Sequence, residues 1–486
     1  MKAVVISELM DRSGVAFGTS GARGTVEAMT PEVCYAYTRA FIQAMETDGT
    51  LKQGSDILLA GDLRPSTPRI LVAVAKAVED AGFNAVYTGR LPSPAVAFHA
   101  IQHNNASIMV TGSHIPDDRN GIKFNRPEGE ILKRDEAMIR EQTVTLPEPF
   151  PVIDEKALPP ADPAAERAYL ARYEDFFGPD ALAGMRVGVY QHSGVARDLL
   201  VTILQALGAE VMPLARSDIF IPVDTEAIRE EDIALGRQWA AEQGFDAVIS
   251  TDGDADRPLI SDEQGEWLRG DVVGVLCARF LGIQTLVTPV SSNSVVEACG
   301  GFDEVFRTRI GSPYVIEQMN QALAAGATRV AGYEANGGFL LASDIALNGK
   351  TLKALPTRDA VLPMLAILAS AHQQGLPVSQ QVAALPPRFT ASDRLKAFPT
   401  ELSRQKIEQL AASDKAIEAM FGDLCDAAVQ QTDQTDGLRI TFENGEIVHL
   451  RPSGNAPELR CYNEAASQQR VQALNRECMG RLAGWR

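Results

Sequence analysis

Three segments of the chain share one pattern: an apolar run with helical spacing, a glycine, and an apolar strand directly after it. The glycines are Gly82, Gly208 and Gly326, and the segments read AVAKAVEDAGFNAVYTG, LLVTILQALGAEVMPLA and IEQMNQALAAGATRVAGYE. Glycine commonly ends a helix, and alternating strands and helices are typical of parallel sheets with crossover helices. The repetition therefore predicts three related α/β domains in series.

The remaining pattern predicts a linker and a different last domain. The chain has 486 residues, more than a single core usually supports. Proline-rich residues 145–165 predict a linker, GLRITFENGEIVHL predicts a β-hairpin, and residues 467–482 predict a closing helix. We therefore expect an α/β fold of three tandem mixed α/β domains (1–150, 165–265 and 266–385) and an α+β domain at 386–486.

Charge and composition limit the partners of the chain. A formal net charge of -18 argues against binding to nucleic acid or to an anionic membrane surface. The first residues lack the apolar core of a signal peptide, and the apolar run at 361–371 is too short to cross a bilayer. Six cysteines without C-x-x-C spacing are typical of a reducing compartment. We expect a cytoplasmic protein that binds a small molecule. The sequence does not predict the number of subunits.

The stretch VTGSHIPDDRNGIKF, residues 110–124, ends an apolar strand with one serine in a polar, turn-forming loop. Loops at strand ends bind ligands in α/β proteins, which makes Ser113 a candidate for chemistry. The nucleophile motif G-x-S-x-G of hydrolases is absent, because His114 and Ile115 follow the serine. An ordinary surface turn is an alternative explanation of the same residues.

The segment DGDADR places Asp252, Asp254 and Asp256 just after an apolar strand. At alternate positions of an extended backbone the three carboxylates fall on one side, where they repel one another unless a cation joins them. Mg²⁺ and Ca²⁺ prefer such oxygen ligands. An EF-hand is excluded, because Arg257 stands where its sharp turn needs glycine. An aspartyl-phosphate phosphatase or a solvated acidic turn would also explain the segment.

Three further loops combine glycine with polar side chains. RPSGNAPELR, residues 451–460, joins two arginines to an exposed backbone in the manner of a phosphate cradle. GYEANGGF, residues 332–339, offers Glu334 and Asn336 to sugar hydroxyls, and simple turns would also explain both loops. FGTSGARG, residues 17–24, ends near Arg23 and lacks the spacing of a nucleotide-binding loop.

Together and in this order, the five loops resemble those of the α-D-phosphohexomutase superfamily over nearly the whole chain, and bacterial phosphomannomutases are the most similar group. The resemblance implies four domains around a central active-site cleft. It further implies that Ser113 carries a phosphoryl group, that the phosphate and Asp252, Asp254 and Asp256 bind Mg²⁺, and that a hexose 1,6-bisphosphate is the intermediate.

The resemblance also assigns roles to single residues. The catalytic residues would be Ser113, Arg23, Lys123 as a general acid/base, and His114, which would orient the loop. Those binding the phosphosugar would be Glu334, Asn336, Arg257, Arg451, Ser453, Gly454 and Asn455. The last four would hold the phosphate that is not transferred.

Three positions depart from the pattern of the superfamily. The serine loop usually reads T-A-S-H-N-P, whereas this chain has Gly112 and Ile115. Several relatives place a histidine, a possible general base, where this chain has Gly338. If that role exists here, another residue must fill it.

The identity of the sugar rests on a few contacts that a sequence does not locate. Mannose phosphates are the expected substrates, and glucosamine, acetylglucosamine and glucose phosphates are the alternatives. A non-catalytic protein that binds sugar phosphates or Ca²⁺ is an alternative from a different class.

Overall fold

The computed structural model describes residues 2–18, 21–151, 154, 158–453 and 457–486. The chain forms two compact units, the first of Met1–Leu286 with Gly311–Val382 and the second of Val287–Ile310 with Ala383–Arg486. The predicted fold class is confirmed, since helices alternate with strands in several mixed sheets. None of the helices formed by the described residues has the length and apolarity needed to cross a bilayer.

The helices are distributed along the whole chain, with a π-helical turn at Glu418–Gly422. They are α1 (Ile6–Ser13), α2 (Pro31–Thr47), α3 (Thr67–Asp80), α4 (Ser93–Gln102), α5 (Lys133–Arg140), α6 (Ala164–Phe177), α7 (Arg197–Ala206), α8 (Glu230–Gln243), α9 (Gly270–Leu281), α10 (Val295–Ala298), α11 (Ser312–Ala324), α12 (Val361–Gln374), α13 (Val378–Ala383), α14 (Thr400–Ala411), α15 (Asp414–Ile417), α16 (Asp423–Cys425) and α17 (Gln468–Ala483).

The strands are short, as is usual for α/β sheets. They are β1 (Lys2–Val5), β2 (Ala16–Phe17), β3 (Ala22–Thr25), β4 (Asp56–Gly61), β5 (Asn84–Gly89), β6 (Ala106–Val110), β7 (Arg119–Arg126), β8 (Gly129–Glu130), β9 (Thr143–Leu146), β10 (Arg186–His192), β11 (Glu210–Arg216), β12 (Ala247–Thr251), β13 (Pro258–Ile260), β14 (Thr285–Pro289), β15 (Glu304–Thr308), β16 (Val330–Tyr333), β17 (Phe339–Leu341), β18 (Ile345–Leu347), β19 (Lys350–Leu352), β20 (Leu355–Asp359), β21 (Phe389–Lys396), β22 (Val429–Asp433), β23 (Leu438–Phe442), β24 (Ile447–Pro452) and β25 (Glu458–Ala465).

The predicted helix, glycine and strand repeats are present as α3–β5, α7–β11 and α11–β16. Gly82, Gly208 and Gly326 have φ of 83°, 91° and 93°, a left-handed conformation that glycine adopts without steric cost. These glycines therefore reverse the chain between each helix and its strand. The local signal for the repeats was correct.

Two sheets of the first unit present strand ends to the candidate site. The larger sheet has the order β2-β3-β7-β6-β4-β5, in which β4 is parallel to β5 and β6, and β7 is antiparallel to β6. The second has the order β11-β10-β12-β13, with β10 parallel to β11 and β12. Strands β16, β17 and β20 pair antiparallel. The Ser113 loop follows β6, and the aspartate loop follows β12.

A large apolar cluster supports the first of these sheets. Helices α2 and α3 bury their apolar faces against it, and the rings of Phe41 and Phe124 stack with centroids 4.8 Å apart. Burying such side chains stabilises the sheet by about 1.5–3 kcal/mol each. The strand ends that carry the site are therefore held by a packed core.

The second unit contains an antiparallel sheet of order β21-β25-β24-β23-β22. The predicted hairpin is β23–β24, in which Ile440 lies opposite Val448. The predicted closing helix is α17, whose N-cap Ser467 accepts a hydrogen bond from the backbone N–H of Arg470. The α+β character expected for this part of the chain agrees with these elements.

Helix α6 is attached to the end of β20 through a buried carboxylate. Asp359 accepts hydrogen bonds from the hydroxyls of Tyr169, at 2.6 Å, and Tyr173. All three side chains are buried, so the hydroxyls replace the water that the carboxylate loses on folding. This contact holds a helix from early in the chain against a strand nearly two hundred residues later.

We predict that Tyr173→Phe lowers the free energy of unfolding by about 1–3 kcal/mol, because it removes a donor from a buried carboxylate. Urea denaturation followed by circular dichroism measures the change. Tyr35→Phe is the control, since its partner Asp80 is partly exposed and solvent replaces the lost bond. Equal losses in the two variants would contradict the role of Asp359.

Candidate active site

Ser113 lies three residues after β6, a central strand of its sheet. Its φ is 55°, in the left-handed region that a serine adopts only under constraint. The side chain is 1% exposed, and its hydroxyl donates a hydrogen bond to Oδ2 of Asp252 at 2.6 Å. A buried, constrained serine that faces a carboxylate favours a chemical role over an ordinary surface turn.

The three aspartates of the next loop lie together. Asp252, Asp254 and Asp256 are buried and offer carboxylate oxygens within 4.8 Å of one another. The extended backbone expected for them is wrong, because β12 ends at Thr251 and a turn follows in which Ala255 has φ of 58°. The backbone of the aspartate loop is therefore a turn, and it brings the three carboxylates together.

The free oxygens of this cluster fit a divalent cation. Among the described residues, Oδ1 of Asp254 and Oδ1 of Asp256 are buried and accept no hydrogen bond. Such atoms are costly to bury unless a ligand pairs with them. Oxygen atoms of aspartates are the donors that Mg²⁺ and Ca²⁺ prefer. The cluster can therefore hold a metal ion at the point where the hydroxyl of Ser113 also lies.

The pKa shifts of the aspartates also favour the binding of a cation. Burial and the negative charges of Asp254 and Asp256 raise the pKa of Asp252 well above its ordinary value. For Asp256, burial also raises the pKa, but the positive charges of Arg358, Lys123 and Arg257 outweigh it and lower the pKa. Three carboxylates in one buried site thus need positive charge close to them.

Lys123 lies on β7 and reaches the same cluster. Its Nζ donates to Oδ2 of Asp254 and to Oδ2 of Asp256, both at 2.6 Å. Burial lowers the pKa of Lys123, but the two carboxylates outweigh this and raise it above the ordinary value. The amine is therefore a charged proton donor beside the aspartates. It binds the Oδ2 atoms, whereas Oδ1 of Asp254 and Oδ1 of Asp256 accept no hydrogen bond from the described residues, and Nε of Arg257 lies 3.7 Å from Oδ1 of Asp256.

A second feature of the site is a group of buried arginines. Arg23 lies on β3, and its pKa is lowered to about 10 by burial and by the positive charges of Arg257 and Arg358. The Nε atoms of Arg23 and Arg257 are buried and donate no hydrogen bond to the described residues. Positive charges that repel one another and hold unused donors are typical of an anion-binding site.

The loop between β16 and β17 carries the predicted sugar ligands. Oε2 of Glu334 accepts a hydrogen bond from Nη1 of Arg358 at 2.9 Å, and Nη2 of Arg358 lies 2.9 Å from Oδ2 of Asp256. Oδ1 of Asn336 accepts from the backbone N–H of Gly338 at 2.9 Å. Arg358 therefore joins the loop of Glu334 to the aspartate loop. The amide oxygen of Asn336 stabilises the turn between β16 and β17.

Gly338 has no room for a side chain. A Cβ atom there would lie 2.8 Å from Cγ of Arg358 and 2.8 Å from the carbonyl oxygen of Asp256. A histidine at this position would therefore overlap with both the arginine and the backbone. The stem of Arg358 fills the space that a side chain at position 338 would need.

His114 lies beside the serine. Its Nδ1 is 3.3 Å from Oγ of Ser113. Burial and the charges of Arg257 and Arg23 lower the pKa of His114 to about 2, so the imidazole is neutral near pH 7. A neutral ring fits a role in orienting the serine, which stays a prediction.

The predicted phosphate loop belongs to the second unit. Nε of Arg451 donates to Oδ1 of Asp436 at 2.9 Å, and the backbone N–H of Ser453 donates to the carbonyl of Glu458 at 2.8 Å. Gly454 and Asn455 lie outside the described residues. The binding role of this loop stays a prediction.

Sequence reasoning did not identify two residues that the structure brings to the aspartates. Arg358 lies on β20, and Ser93 begins α4 and donates a hydrogen bond through its hydroxyl to Oδ2 of Asp254. The glycine at 338 was the one signal for Arg358, because an absent side chain can mark a space that another residue fills. Ser93 had no signal, since serine is common at the start of helices.

Comparison with known families finds four consecutive matches along the chain. Models of the phosphoglucomutase/phosphomannomutase family match alpha/beta/alpha domain I at residues 14–148, domain II at 168–265, domain III at 269–389 and the C-terminal domain at 401–480. Together these matches cover most of the chain.

Two phosphomannomutases are similar to the chain over almost its full length. The protein from Salmonella muenchen is 44% identical over 462 residues, which are 95% of this chain and 94% of that protein. The protein from Sinorhizobium fredii is 45% identical over 463 residues, 95% of this chain and 97% of that protein.

Solved structures share the fold at lower identity. A phosphoglucomutase/phosphomannomutase family protein from Burkholderia thailandensis has a TM-score of 0.73 at 18% identity, over 96% of this chain and 97% of that chain. An N-acetylphosphoglucosamine mutase from Aspergillus fumigatus, in complex with GlcNAc-6P and magnesium, has a TM-score of 0.60 at 13% identity, over 99% of both chains.

We predict that Gly338→Ala lowers the free energy of unfolding by about 1–3 kcal/mol, because the new methyl group overlaps with a backbone oxygen and the Arg358 stem. Urea titration monitored by tryptophan fluorescence measures the change. Gly480→Ala is the control: it lies in α17 with open space around it, and helix propensity favours alanine by about 1 kcal/mol. If Gly338→Ala left the free energy of unfolding unchanged, the steric explanation would be wrong.

Proposed function

The chain belongs to the phosphoglucomutase/phosphomannomutase family, and from this we propose that mannose phosphates are its substrates and that Ser113 carries the phosphoryl group. The protein is a phosphohexomutase, an isomerase of carbohydrate metabolism. It interconverts hexose 6-phosphate and hexose 1-phosphate. The proposed details are the sugar, the metal, the bisphosphate intermediate and the roles of single residues.

One observation carries the proposed chemistry: the hydroxyl of Ser113 lies 2.6 Å from Oδ2 of Asp252, within a cluster of three buried carboxylates. A serine hydroxyl is a poor metal ligand, whereas its phosphate ester is a good one. A phosphorylated serine here would lie next to a metal-binding cluster and to buried arginines. Both features stabilise the negative charge of a phosphoryl group in transfer.

In the first half-reaction, phosphorylated Ser113 gives its phosphoryl group to the free hydroxyl of a hexose monophosphate. The bond from phosphorus to the serine Oγ breaks, and a bond from phosphorus to the sugar oxygen forms. Lys123, the proposed general acid/base, donates a proton to the departing Oγ and takes up the proton that the sugar hydroxyl loses, so its charge is unchanged over the step. The product, a hexose 1,6-bisphosphate, turns around and returns its other phosphoryl group to Ser113 by the reverse step.

The proposed roles of the other residues follow the pattern of the family and, for the arginines, their charge. Arg23 and Arg257, with unused buried N–H groups, stabilise the phosphoryl group as it moves. Glu334 and Asn336 contact the sugar hydroxyls, His114 orients the serine, and Arg358 keeps the Glu334 loop next to the aspartates. Arg451, Ser453, Gly454 and Asn455 are proposed to hold the second phosphate.

Asp252, Asp254 and Asp256 would hold Mg²⁺, together with the phosphate on Ser113. When bound, Mg²⁺ neutralises charge on the phosphoryl oxygens. The free Oδ1 atoms of Asp254 and Asp256 support this assignment. The Aspergillus mutase with magnesium and GlcNAc-6P supports the same kind of ligand for a protein of this fold.

The choice of mannose rests on the two similar phosphomannomutases, because each match spans almost the whole of this chain and of the relative. Phosphoglucosamine mutases from Symbiobacterium thermophilum and Clostridium botulinum are 32% and 30% identical but cover 62% and 64% of this chain. Glucose, glucosamine and acetylglucosamine phosphates are the alternatives. A cytoplasmic location is part of the proposal and is supported by six cysteines that form no disulfide.

We predict that the purified protein converts mannose 1-phosphate with a kcat/KM at least about tenfold above that for glucose, glucosamine or acetylglucosamine 1-phosphate. A coupled assay with Mg²⁺ and a hexose 1,6-bisphosphate primer measures all four. Ser113→Ala reduces the activity to the assay background and removes the phosphate seen by intact-mass analysis. Ser107→Ala, which changes a buried serine of β6, is the matched control.

Each result has a distinct meaning. A preference for another sugar would change the substrate and keep the chemistry. Activity without phosphorylation of Ser113 would refute the phosphoserine, and absence of any mutase activity would favour a protein that only binds sugar phosphates.

We further predict that Mg²⁺ raises the unfolding temperature of the EDTA-treated protein. At a concentration one hundred times the Kd, the expected gain in the free energy of unfolding is about 2.7 kcal/mol. Differential scanning calorimetry measures the shift. Asp252→Asn removes one of three like charges, so it should raise the unfolding temperature in EDTA and abolish most of the response to Mg²⁺. An undiminished response in this variant would contradict the metal assignment.

A further inference from the structure

A buried ion pair lies next to the serine loop and has no role in the chemistry described so far. It consists of Asp62 and Arg64, in the loop between β4 and α3, and both side chains are fully buried. Nε of Arg64 donates to Oδ2 of Asp62 at 3.1 Å. A buried ion pair contributes little to stability compared with apolar packing, which suggests that it serves another purpose.

The guanidinium group of Arg64 gathers the carbonyl oxygens of the serine loop. Nη2 donates to the carbonyls of Ser113, at 2.8 Å, and Ile115, at 2.5 Å. Nη1 donates to the carbonyls of Pro116, at 2.7 Å, and Arg119, at 3.2 Å. One guanidinium group thus binds four carbonyls of a single loop and restricts the path of its backbone.

Asp62 fixes the other side of the same serine. It accepts hydrogen bonds from the hydroxyls of Thr67, at 2.6 Å, and Thr111, at 2.8 Å, and from the backbone N–H of Gly112 at 3.3 Å. The hydroxyl of Thr111 in turn accepts the backbone N–H of Ser113 at 2.8 Å. The backbone N–H and carbonyl of Ser113 are thus both held by groups that the ion pair orients.

We propose that Asp62 and Arg64 are positioning residues that hold Ser113 in its left-handed conformation, so that its oxygen faces the aspartate cluster in both half-reactions. This inference rests on the proposed role of Ser113 as the phosphoryl carrier. A serine at φ of 55° is strained on its own, and the contacts at its N–H and carbonyl supply the constraint. A rigid carrier is useful because phosphoryl transfer depends on alignment.

The same pair explains why glycine precedes the serine. A Cβ atom at Gly112 would lie 2.5 Å from Cζ and 2.7 Å from Nε of Arg64, both buried and fixed. The other face of the guanidinium is covered by the ring of Phe220, with Cζ 4.0 Å from its centroid. Arg64 is therefore packed on both faces, and the methyl group of an alanine at position 112 would overlap with it.

The first test compares the buried Arg64 with Arg69, a partly buried arginine of the same unit. Arg64→Lys keeps the charge but loses the fork that spans four carbonyls. Arg69→Lys is the matched control, because Arg69 binds the carbonyls of Val26 and Met29, away from the serine. We expect Arg64→Lys to reduce kcat about 100-fold with little change in KM, and Arg69→Lys to leave both near the original values.

The second test adds a methyl group against the arginine. Gly112→Ala should slow the single-turnover transfer of phosphate from glucose 1,6-bisphosphate to Ser113, measured by intact-mass analysis. We expect a fall of about 100-fold. If Gly112→Ala transfers phosphate as fast as the unaltered protein, the steric part of the proposal is wrong.

A third test uses two variants of Thr111 and gives an answer even if Arg64→Lys or Gly112→Ala does not fold. Thr111→Val removes the hydroxyl that accepts from Ser113 and keeps the shape, whereas Thr111→Ser keeps the hydroxyl. We expect Thr111→Val to lower kcat at unchanged KM and Thr111→Ser to restore it. Equal kcat in both variants, or a failure of serine to restore it, would overturn the proposal.

The outcomes separate this inference from the proposed function. If the unaltered protein neither accepts phosphate on Ser113 nor isomerises any hexose phosphate, the proposed function fails. If the unaltered protein does both, and the Arg64 and Thr111 variants match it, the function stands and only the positioning role fails.

Discussion

The site depends on one constraint: three carboxylates are buried together, and their repulsion must be balanced. Asp252, Asp254 and Asp256 lie within one turn, and most polar side chains around them respond to their charge. Lys123 binds two of them, Arg358 and Arg257 lie beside them, and hydroxyls donate to the rest. Removing charge balance at any point would leave a buried charge unpaired. The positions of the strands matter because they bring these groups to one place.

Most of the fold could be predicted because its signals are local. Each unit of helix, glycine and strand spans only 20 to 23 residues (67–89, 197–216 and 312–333), and the turn ENG lies within its hairpin, so short segments carried the information. The candidate residues Ser113, Asp252, Asp254 and Asp256 were found for the same reason, as polar loops directly after apolar strands. The structure brings Lys123 and Arg23 to them through β7 and β3, neighbours in one sheet.

What the sequence could not show are contacts between distant segments. Arg64 meets the serine loop 49 residues away, and Arg358 meets Glu334 across 24 residues and Asp256 across a hundred. Nothing near either arginine marks its target. The backbone of the aspartate loop was also missed, because alternate acidic residues fit a strand as well as a turn, and only the left-handed Ala255 separates the two.

The lack of space at Gly338 couples two positions of this chain. The stem of Arg358 and the carbonyl of Asp256 together fill the volume that a side chain would need. A side chain at position 338 would displace the arginine, and loss of the arginine would leave Glu334 and Asp256 without their shared partner. A change at either position therefore disturbs the contact between the Glu334 loop and the aspartate loop.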